Sequence, residues 1–511
     1  MTDALTHALP DPHICEQARL SRDARFDGLF FTAVNSTGIY CRPVCPAPTP
    51  KRENVRYFAN PAAAEAAGFR PCLRCRPELA PGNDQWQRGD HVVARALKLI
   101  EAGVLAEQSL DELATRVGIG ARQLRRLFVE RVGAPPICVH TTRRLLFAKQ
   151  LLTETSLPVT EVALAAGFRS LRRFNAAFLQ ANRIPPRELR RHPRASAGAA
   201  LVLRLAYRPP YDFAALLAFL RTRALPGVEL VDEHSYARVF GPADAPGWLR
   251  LSAWPKGIGH AGEHALKLEL HCPQPTQLLG VVTKLRRMFD LDANPQAIAD
   301  TFRHDAILGP LLARRPGLRL PGGWDGLEIA VRAVLGQQIS VAAARTLATR
   351  IVQRWGESLS TTPMAGLERL FPTPTALAGA DLREIGLTTT RAATISGMAQ
   401  ALLDGRVDFS AEQSLDEFVT RWITLPGIGE WTAHYMAMRA LSDPDAFPAA
   451  DLILRREATT DPTPLSTKAL TLRAEAWRPW RAYAVIHLWR GTSDAPAPSR
   501  APRRKKAETL A

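Results

Sequence analysis

The sequence contains few cysteines and no long apolar segment. Seven of its 511 residues are cysteine, and no uninterrupted apolar run reaches the roughly 18 residues that a membrane span needs. The stretch from Met1 to His13 is polar and interrupted by proline, so it lacks the apolar core of a signal peptide. We therefore expect a cytoplasmic protein without a membrane partner, in a compartment where disulfides do not persist.

Four of the cysteines form the pattern C-x3-C-x26-C-x2-C, made by Cys41, Cys45, Cys72 and Cys75. This is the ligand spacing of a closed tetrahedral zinc site. Two disulfides or four unrelated buried thiols are the alternatives, and the expected reducing compartment disfavours the disulfides. We expect one zinc ion. The remaining cysteines are solitary and receive no role: Cys15, Cys138 and Cys272.

The residues around the four cysteines, from Phe30 to Glu78, closely resemble the N-terminal domain of the Ada DNA-alkylation response proteins. In that family the first cysteine of the CRPxC segment, here Cys41, accepts a methyl group from a methylated DNA phosphate once and irreversibly. The resemblance implies a reactive zinc site whose methylation removes one negative charge, which would raise affinity for DNA. The Pro-Cys-His-Arg motif of the second Ada activity does not occur in this sequence.

Charge and length predict a nucleic-acid partner and several domains. Lys and Arg number 66 against 49 Asp and Glu, which gives a formal net charge of +17 and a pI near 10.1. A chain of this length divides into about three or four domains. We predict a multidomain chain with a small α+β zinc module (1–82), an all-α module (86–193), an α+β module (200–310), an all-α module (311–493) and a basic disordered tail (494–511).

Two stretches between His91 and Arg191 repeat one layout of a short helix, a glycine turn and an arginine-rich helix, which predicts paired helix-turn-helix units. The first opens on a Ser109-to-Glu112 capping box, and an ordinary three-helix bundle is its alternative. The second, GFRSLRRFNAAFLQANRIPPRE, resembles AraC-type DNA-binding domains. That resemblance implies two recognition helices in the major groove. The exposed candidates on these helices can contact guanine edges or only phosphates: Arg122, Arg125, Arg126, Arg169, Ser170, Arg172 and Arg173.

The C-terminal half combines a strand-rich segment with a helical hairpin. Alternating patterns such as LVLRLAY and HALKLELH predict an α+β module. Downstream, LPGIG before a helical segment predicts a hairpin whose backbone amides face a phosphate, with Gly427 and Gly429 supplying the turn. Because proline-glycine turns join helices in many proteins, this hairpin alone is only moderately specific. With Asp451 and the segment VRAVLGQQIS, however, Ala200 to Trp489 resembles AlkA-type 3-methyladenine-DNA glycosylases, in the helix-hairpin-helix superfamily.

This resemblance implies a catalytic role for Asp451, which would stabilise the developing sugar cation and activate water. A helix N-cap is the alternative role, and both can hold. Strand-cleaving members carry a lysine where this chain has Trp431, so we expect a monofunctional hydrolase. No cysteine follows Cys272, which excludes the four-cysteine iron–sulfur loop of related glycosylases.

The same resemblance implies an aromatic pocket for a flipped base. Alkylation at purine N3 or N7 makes the base cationic, and cations bind to aromatic faces. Three residues match pocket positions of the family, and a fourth stands where the family supplies the side chain that fills the gap left by flipping: Trp431, Tyr435, Trp480 and, as the wedge, Gln338.

Together the resemblances imply an alkylation sensor, a transcriptional regulator and a base-excision enzyme in one chain. Double-stranded DNA is the expected partner, and RNA polymerase is a candidate partner of the regulator. A regulator whose glycosylase-like half only binds DNA is the alternative. A third interpretation is an enzyme that its first two modules merely tether to DNA.

Overall fold

The computed structural model describes residues 9–83, 92–190, 200–255, 264–410 and 412–494. It contains a small sheet with a cysteine cluster, a helical region, a five-stranded sheet and a large helical body. The expected multidomain fold class is confirmed. The predicted basic tail beyond residue 494 lies outside the described residues.

The first part is a four-stranded sheet with two helices. Its elements are α1 (Pro12–Ser21), β1 (Phe31–Val34), β2 (Ile39–Cys41), β3 (Val55–Phe58), α2 (Pro61–Ala66) and β4 (Arg70–Pro71). The strand order is β3-β1-β2-β4, and the short β4 runs parallel to β2, with Tyr40 opposite Pro71. Because Cys41 ends β2 and Cys72 follows β4, this pairing brings the two halves of the cysteine pattern together.

The second part is all-helical. Its helices are α3 (Val92–Glu101), α4 (Leu110–Arg116), α5 (Ala121–Val132), α6 (Pro136–Glu154), α7 (Val159–Ala165), α8 (Leu171–Asn182) and α9 (Pro186–Leu189). Ser109 and Glu112 form the predicted capping box at the start of α4. The pairs α4–α5 and α7–α8 each turn at a glycine with positive φ, Gly118 and Gly167. The long helix α6 connects the two helix-turn-helix units.

The third part is an antiparallel sheet flanked by helices. Its elements are β5 (Leu201–Ala206), α10 (Phe213–Arg221), β6 (Glu229–Val231), β7 (Ser235–Phe240), β8 (Gly247–Ala253), β9 (Ala265–His271) and α11 (Leu278–Met288), with strand order β5-β9-β8-β7-β6. This sheet shares one hydrophobic core with the second helix-turn-helix unit. Phe174 of α8, Leu205 of β5 and Leu216 of α10 all belong to it.

The fourth part is a helical body. Its helices are α12 (Pro295–Phe302), α13 (Leu308–Arg314), α14 (Gly326–Leu335), α15 (Val341–Trp355), α16 (Pro374–Ala378), α17 (Thr389–Leu403), α18 (Leu415–Trp422), α19 (Glu430–Met436), α20 (Leu452–Glu457), α21 (Thr467–Ala474) and α22 (Arg481–Asp494). A π-helical turn, Ala437–Leu441, extends α19. The buried α14 lies at the centre of this body, and its side chains contribute to the main hydrophobic core.

Among the described residues, every helix is too short or too polar to cross a membrane.

Candidate functional site

The four predicted metal ligands form one compact cluster. The sulfur atoms of Cys41, Cys45, Cys72 and Cys75 all lie within 4.8 Å of one another. Cys72 and Cys75 are buried, whereas Cys41 and Cys45 are half-buried. The sequence pattern therefore predicted which thiols meet, and the β2–β4 pairing explains how they meet.

The donor set of this cluster fits a divalent cation. Hydrogen bonds from the thiols of Cys41, Cys45 and Cys75 hold the pKa of Cys72 well below the usual range of a thiol. Burial raises the pKa of Cys75 far above it. Four thiolates so close together would repel one another unless a cation stood between them, and sulfur ligands in this number select zinc. Zinc, when bound, keeps cysteine sulfur deprotonated and nucleophilic at neutral pH.

The residues next to the ligands hold the cluster in shape. The backbone N–H of Arg42 donates to Cys75 Sγ at 3.3 Å, and its guanidinium pairs with the buried Asp27 carboxylate. Lys149 of α6, which is 1% exposed, donates to the Cys72 carbonyl at 3.0 Å and to Glu78 at 2.6 Å. Such contacts around the ligands fix their orientation.

The two arginine-rich helices present the predicted DNA contacts to solvent. On α5 the exposed arginines are Arg122, Arg125 and Arg126, and around the start of α8 they are Arg169, Arg172 and Arg173. Ser170 is instead half-buried and caps α8, because its Oγ accepts a hydrogen bond from the backbone N–H of Arg173 at 3.4 Å. Contact of any of these residues with bases stays a prediction.

Asp451 lies on the wall of a cavity of about 580 Å³ between the five-stranded sheet and the helical body. It is the N-cap of α20, where Oδ1 accepts from the backbone N–H groups of Ile453 at 2.9 Å and Leu454 at 3.1 Å. Two indoles also reach this carboxylate: Trp431 donates to Oδ2 at 3.1 Å, and Trp489 donates to Oδ1 at 3.5 Å. The capping role therefore leaves the carboxylate facing the cavity.

Aromatic rings form the wall beside Asp451. Trp431 and Tyr435 stack with ring centroids 5.4 Å apart and planes 11° apart. Tyr435 lies 6.3 Å from Trp489, which also lines the cavity. Three parallel or tilted aromatic faces in one cavity suit the stacking of a planar base.

The predicted pocket residue Trp480 is not among the residues that line this cavity, and a contact of its ring with the base stays a prediction. Trp480 is 2% exposed and packs edge to face on Tyr483 in the core. It precedes the first residue of α22, whereas Trp489 lies about 13 Å further along that helix at 1.5 Å per residue. Trp489 is the last residue of the segment WRPWRAYAVIHLW, which the sequence resemblance already included. In the structure it follows a fully buried run of helix.

Arginines surround the inner end of the aromatic wall. Arg439 Nη1 donates to Tyr435 Oη at 2.9 Å, and both Arg223 and Arg439 line the cavity. Burial alone would raise the pKa of Tyr435, but the guanidinium charges of Arg439, Arg223 and Arg332 lower it below its usual value.

The predicted hairpin joins α18 and α19. Gly427 has φ +84°, and an added Cβ would overlap Thr394 Oγ1, so this position requires glycine. Gly429 has open space around its Cα, is exposed, and is the N-cap of α19. Backbone N–H groups at this helix start are therefore accessible to a phosphate.

The turn between α14 and α15 lies against this hairpin. Gln337 Nε2 donates to the Gly427 carbonyl and to Thr432 Oγ1, each at 3.0 Å. Its neighbour Gln338 is exposed and adopts φ +57°, a conformation that few non-glycine residues adopt. An exposed side chain on a constrained turn beside the cavity suits the predicted wedge, and this role stays a prediction.

Four family models match the chain. They are described as the metal binding domain of Ada (residues 14–78), a helix-turn-helix domain (113–192), the AlkA N-terminal domain (202–325) and the HhH-GPD superfamily base excision DNA repair protein (331–481). The Ada model and the cysteine cluster together assign one zinc ion to the four thiols. The expected resemblances are confirmed over all four parts.

Three curated relatives cover different shares of the chain. The probable bifunctional transcriptional activator/DNA repair enzyme AlkA of Mycobacterium tuberculosis is 40% identical over 484 residues, which are 93% of this chain and 95% of that protein. DNA-3-methyladenine glycosylase 2 of Escherichia coli is 36% identical over 56% of this chain and 95% of its own length. The bifunctional transcriptional activator/DNA repair enzyme Ada of Escherichia coli is 40% identical over 30% of this chain and 41% of its own length. The chain therefore belongs to the family of bifunctional transcriptional activator/DNA repair enzymes that the Mycobacterium tuberculosis protein AlkA represents.

Proposed function

We propose that this protein detects and repairs alkylated DNA with two separate chemistries and regulates transcription through its paired helix-turn-helix units. The N-terminal module takes methyl groups from methyl phosphotriesters. The C-terminal half is a DNA-3-methyladenine glycosylase that hydrolyses the bond between an alkylated purine and its sugar. The observation that carries the enzymatic part is the Asp451 carboxylate, which lies on the wall of an aromatic cavity between Trp431 and Trp489.

The methyl transfer is stoichiometric. The Cys41 sulfur attacks the methyl carbon, so that a sulfur–carbon bond forms while the carbon–oxygen bond to the phosphate breaks. The phosphodiester leaves with its negative charge restored, and the resulting thioether carries no charge. The half-buried position of Cys41 supports this role, because the two buried ligands are less accessible to a DNA backbone.

The glycosylase is monofunctional. Position 431 carries an indole, which has no amine for a Schiff base with the sugar, so water is the nucleophile. Asp451 stabilises the positive charge that develops on the sugar and accepts the proton of the attacking water. The stacked faces of Trp431 and Tyr435 bind the flipped base, and Gln338 fills the space that the base leaves in the duplex.

Regulation requires DNA contacts from the exposed arginines of α5 and α8. We further propose that loss of one charge at Cys41 tightens binding to promoter DNA. As an activator the bound protein would contact RNA polymerase, and its work on chromosomal DNA takes place in the cytoplasm.

The test of the enzymatic proposal is release of 3-methyladenine from alkylated duplex DNA by the full chain and by Asp451→Asn. Asparagine also caps helices, so this variant keeps the start of α20 and removes only the charge. Release should fall by at least about a hundredfold, while binding to a duplex with an abasic-site analogue is retained.

A matched control is Asp325→Asn, because Asp325 caps α14 through two backbone N–H groups in the same way and does not line the cavity. It should release base like the parent protein. If Asp451→Asn also turned over within a few fold of the parent, the assignment of Asp451 would be wrong. If the parent released no base at all, the C-terminal half would be a DNA-binding module of a regulator.

A further inference from the structure

We infer that Trp431 is a positioning residue, whose indole N–H gives the two carboxylate oxygens of Asp451 different tasks. The inference rests on the proposed glycosylase activity and goes beyond it, since it identifies which oxygen reacts and what orients it. It concerns the indole N–H group of Trp431 rather than its aromatic face, and Trp489 serves as the comparison.

The hydrogen bonds to Asp451 are distributed unevenly. Oδ1 accepts from the backbone N–H groups of Ile453 and Leu454 at 2.9 and 3.1 Å, and from the Trp489 indole at 3.5 Å. Oδ2 accepts from the Trp431 indole at 3.1 Å. A carboxylate offers about two lone-pair sites on each oxygen. Among the described residues, the donors to Oδ1 fill its sites, whereas Oδ2 keeps one available.

The available site of Oδ2 belongs to a carboxylate that lines the cavity. Trp431, Trp489 and Asp451 all line the cavity in which the base would be bound. In the proposed step the bond between the sugar C1′ and the base nitrogen breaks, and its electron pair leaves with the base. The water oxygen bonds to C1′ and passes one proton to Oδ2. An alkylated purine, cationic in the nucleotide, thus leaves as a neutral base.

An indole is well suited to orient this oxygen. The indole has one N–H donor and no acceptor. It can therefore donate to the carboxylate, but it cannot take the proton of the attacking water. The ring of Trp431 is fixed by its stacking on Tyr435, with planes 11° apart. A fixed ring fixes the N–H direction, which restrains the rotation of the Asp451 carboxylate about its last bond.

The two indoles should differ in importance. The Trp431 contact is 3.1 Å and is the hydrogen bond to the reacting oxygen, whereas the Trp489 contact is 3.5 Å and goes to an oxygen that two backbone groups already hold. A hydrogen bond at 3.5 Å lies at the long limit of such contacts. Trp431 therefore positions Asp451, and Trp489 contributes mainly its ring to the wall.

The experiment compares Trp431→Phe and Trp489→Phe in single-turnover base release on alkylated duplex DNA. Phenylalanine keeps an aromatic face and removes the N–H. We expect the chemical rate of Trp431→Phe to fall about 10- to 100-fold, the effect of losing one hydrogen bond to a charged group. The rate of Trp489→Phe should fall less than about fivefold. Affinity of both variants for a duplex with an abasic-site analogue should stay within about threefold of the parent.

The matched control is Trp477→Phe. Trp477 also donates its indole N–H to a carboxylate, Asp305 Oδ2 at 2.8 Å, but it is buried in the core away from the cavity lining. Loss of that bond should lower the melting temperature and leave the chemical rate unchanged. Trp431→Phe should show the opposite pattern, which a purely structural role would not produce.

A second replacement of Trp431 keeps the test valid if phenylalanine at this position disturbs the fold. Replacement of Trp431 by 3-benzothienylalanine keeps the size and shape of the ring and exchanges only the N–H for sulfur. The same loss of rate is expected. If both replacements released base at the parent rate while Asp451→Asn was inactive, the positioning role would be wrong and the glycosylase proposal would stand. If Asp451→Asn was active as well, the proposed active site itself would be wrong.

Discussion

Glu328 illustrates how single residues hold the glycosylase half together. It lies on α14, is 3% exposed, and pairs with Arg238 of β7 at 2.5 Å and with Arg332 at 2.6 Å. Glu229 of β6 joins the same network through Arg332 at 2.6 Å. The network connects the five-stranded sheet to the central helix of the helical body, immediately beside the cavity.

The charge on the Glu328 carboxylate should make the stability of the fold depend on pH. Burial alone would raise the pKa of Glu328, yet Arg238 and Arg332 lower it from 4.5 to about 2. A carboxyl with a depressed pKa in the folded state stabilises the fold above its ordinary pKa, and this contribution is lost as the pH falls towards 2. Glu328→Gln should therefore lose about 3 kcal/mol of unfolding free energy at neutral pH, and less at low pH.

The measurement is urea unfolding, followed by tryptophan fluorescence at neutral pH and in steps down to pH 2.5. The stability curve of the parent should fall towards that of Glu328→Gln between pH 4.5 and 2.5. Parallel curves over this range would show that the carboxylate does not carry the expected charge effect.

At the scale of elements, the hairpin between α18 and α19 depends on two glycines for different reasons. Gly427 has φ +84° and no room for a Cβ beside Thr394, whereas Gly429 has no positive φ and nothing near its Cα. The fold therefore requires glycine at position 427, whereas the space around Gly429 would allow a phosphate to approach.

Alanine at each position should separate these roles. Gly427→Ala should cost about 1–3 kcal/mol of stability and weaken binding to duplex DNA, because the turn that presents the amides is distorted. Gly429→Ala should keep the melting temperature and affect only DNA binding. Thermal unfolding and a DNA titration of both variants provide the comparison. Equal melting temperatures for the two would contradict the assignment of Gly427 as the strained position.

The sequence predicts those elements and sites whose geometry is set by residues close together in the chain. The ligand spacing of Cys41 to Cys75 predicted the metal centre because sequence-local pairs of cysteines already fix most of its geometry. The capping box at Ser109 predicted the start of α4 for the same local reason. The pocket was harder to predict, since Trp480 and Trp489 lie at the two ends of one largely buried segment and only the packing of α22 decides which ring faces Asp451.

At the scale of the whole molecule, the contacts between modules could not be predicted from the sequence. Arg208 is fully buried, and its guanidinium donates to the Asp27 carbonyl at 2.8 Å and the Ala293 carbonyl at 3.0 Å. It thereby connects the zinc module to the segment after α11. Arg116 of α4 pairs with Glu412 of the helical body. Such partners lie between 85 and 296 positions apart in the sequence, so no local pattern predicts them.

These contacts give the two chemistries one scaffold but separate sites. The Cys41 thiol and the Asp451 carboxylate belong to different parts of the chain. Within the described part of the chain, no residue of the zinc module lines the cavity around Asp451. Methylation of Cys41 should therefore exhaust one activity and leave the other able to turn over.

The most direct test is one reaction with two products. The full chain is mixed with excess duplex DNA that carries both methyl phosphotriesters and 3-methyladenine, and the peptide of Cys41 and the released base are quantified together over time. Methyl transfer should stop at one methyl per chain, all of it on Cys41, while base release continues through many turnovers. A methyl group on another cysteine, or base release that also ended at one per chain, would contradict the account.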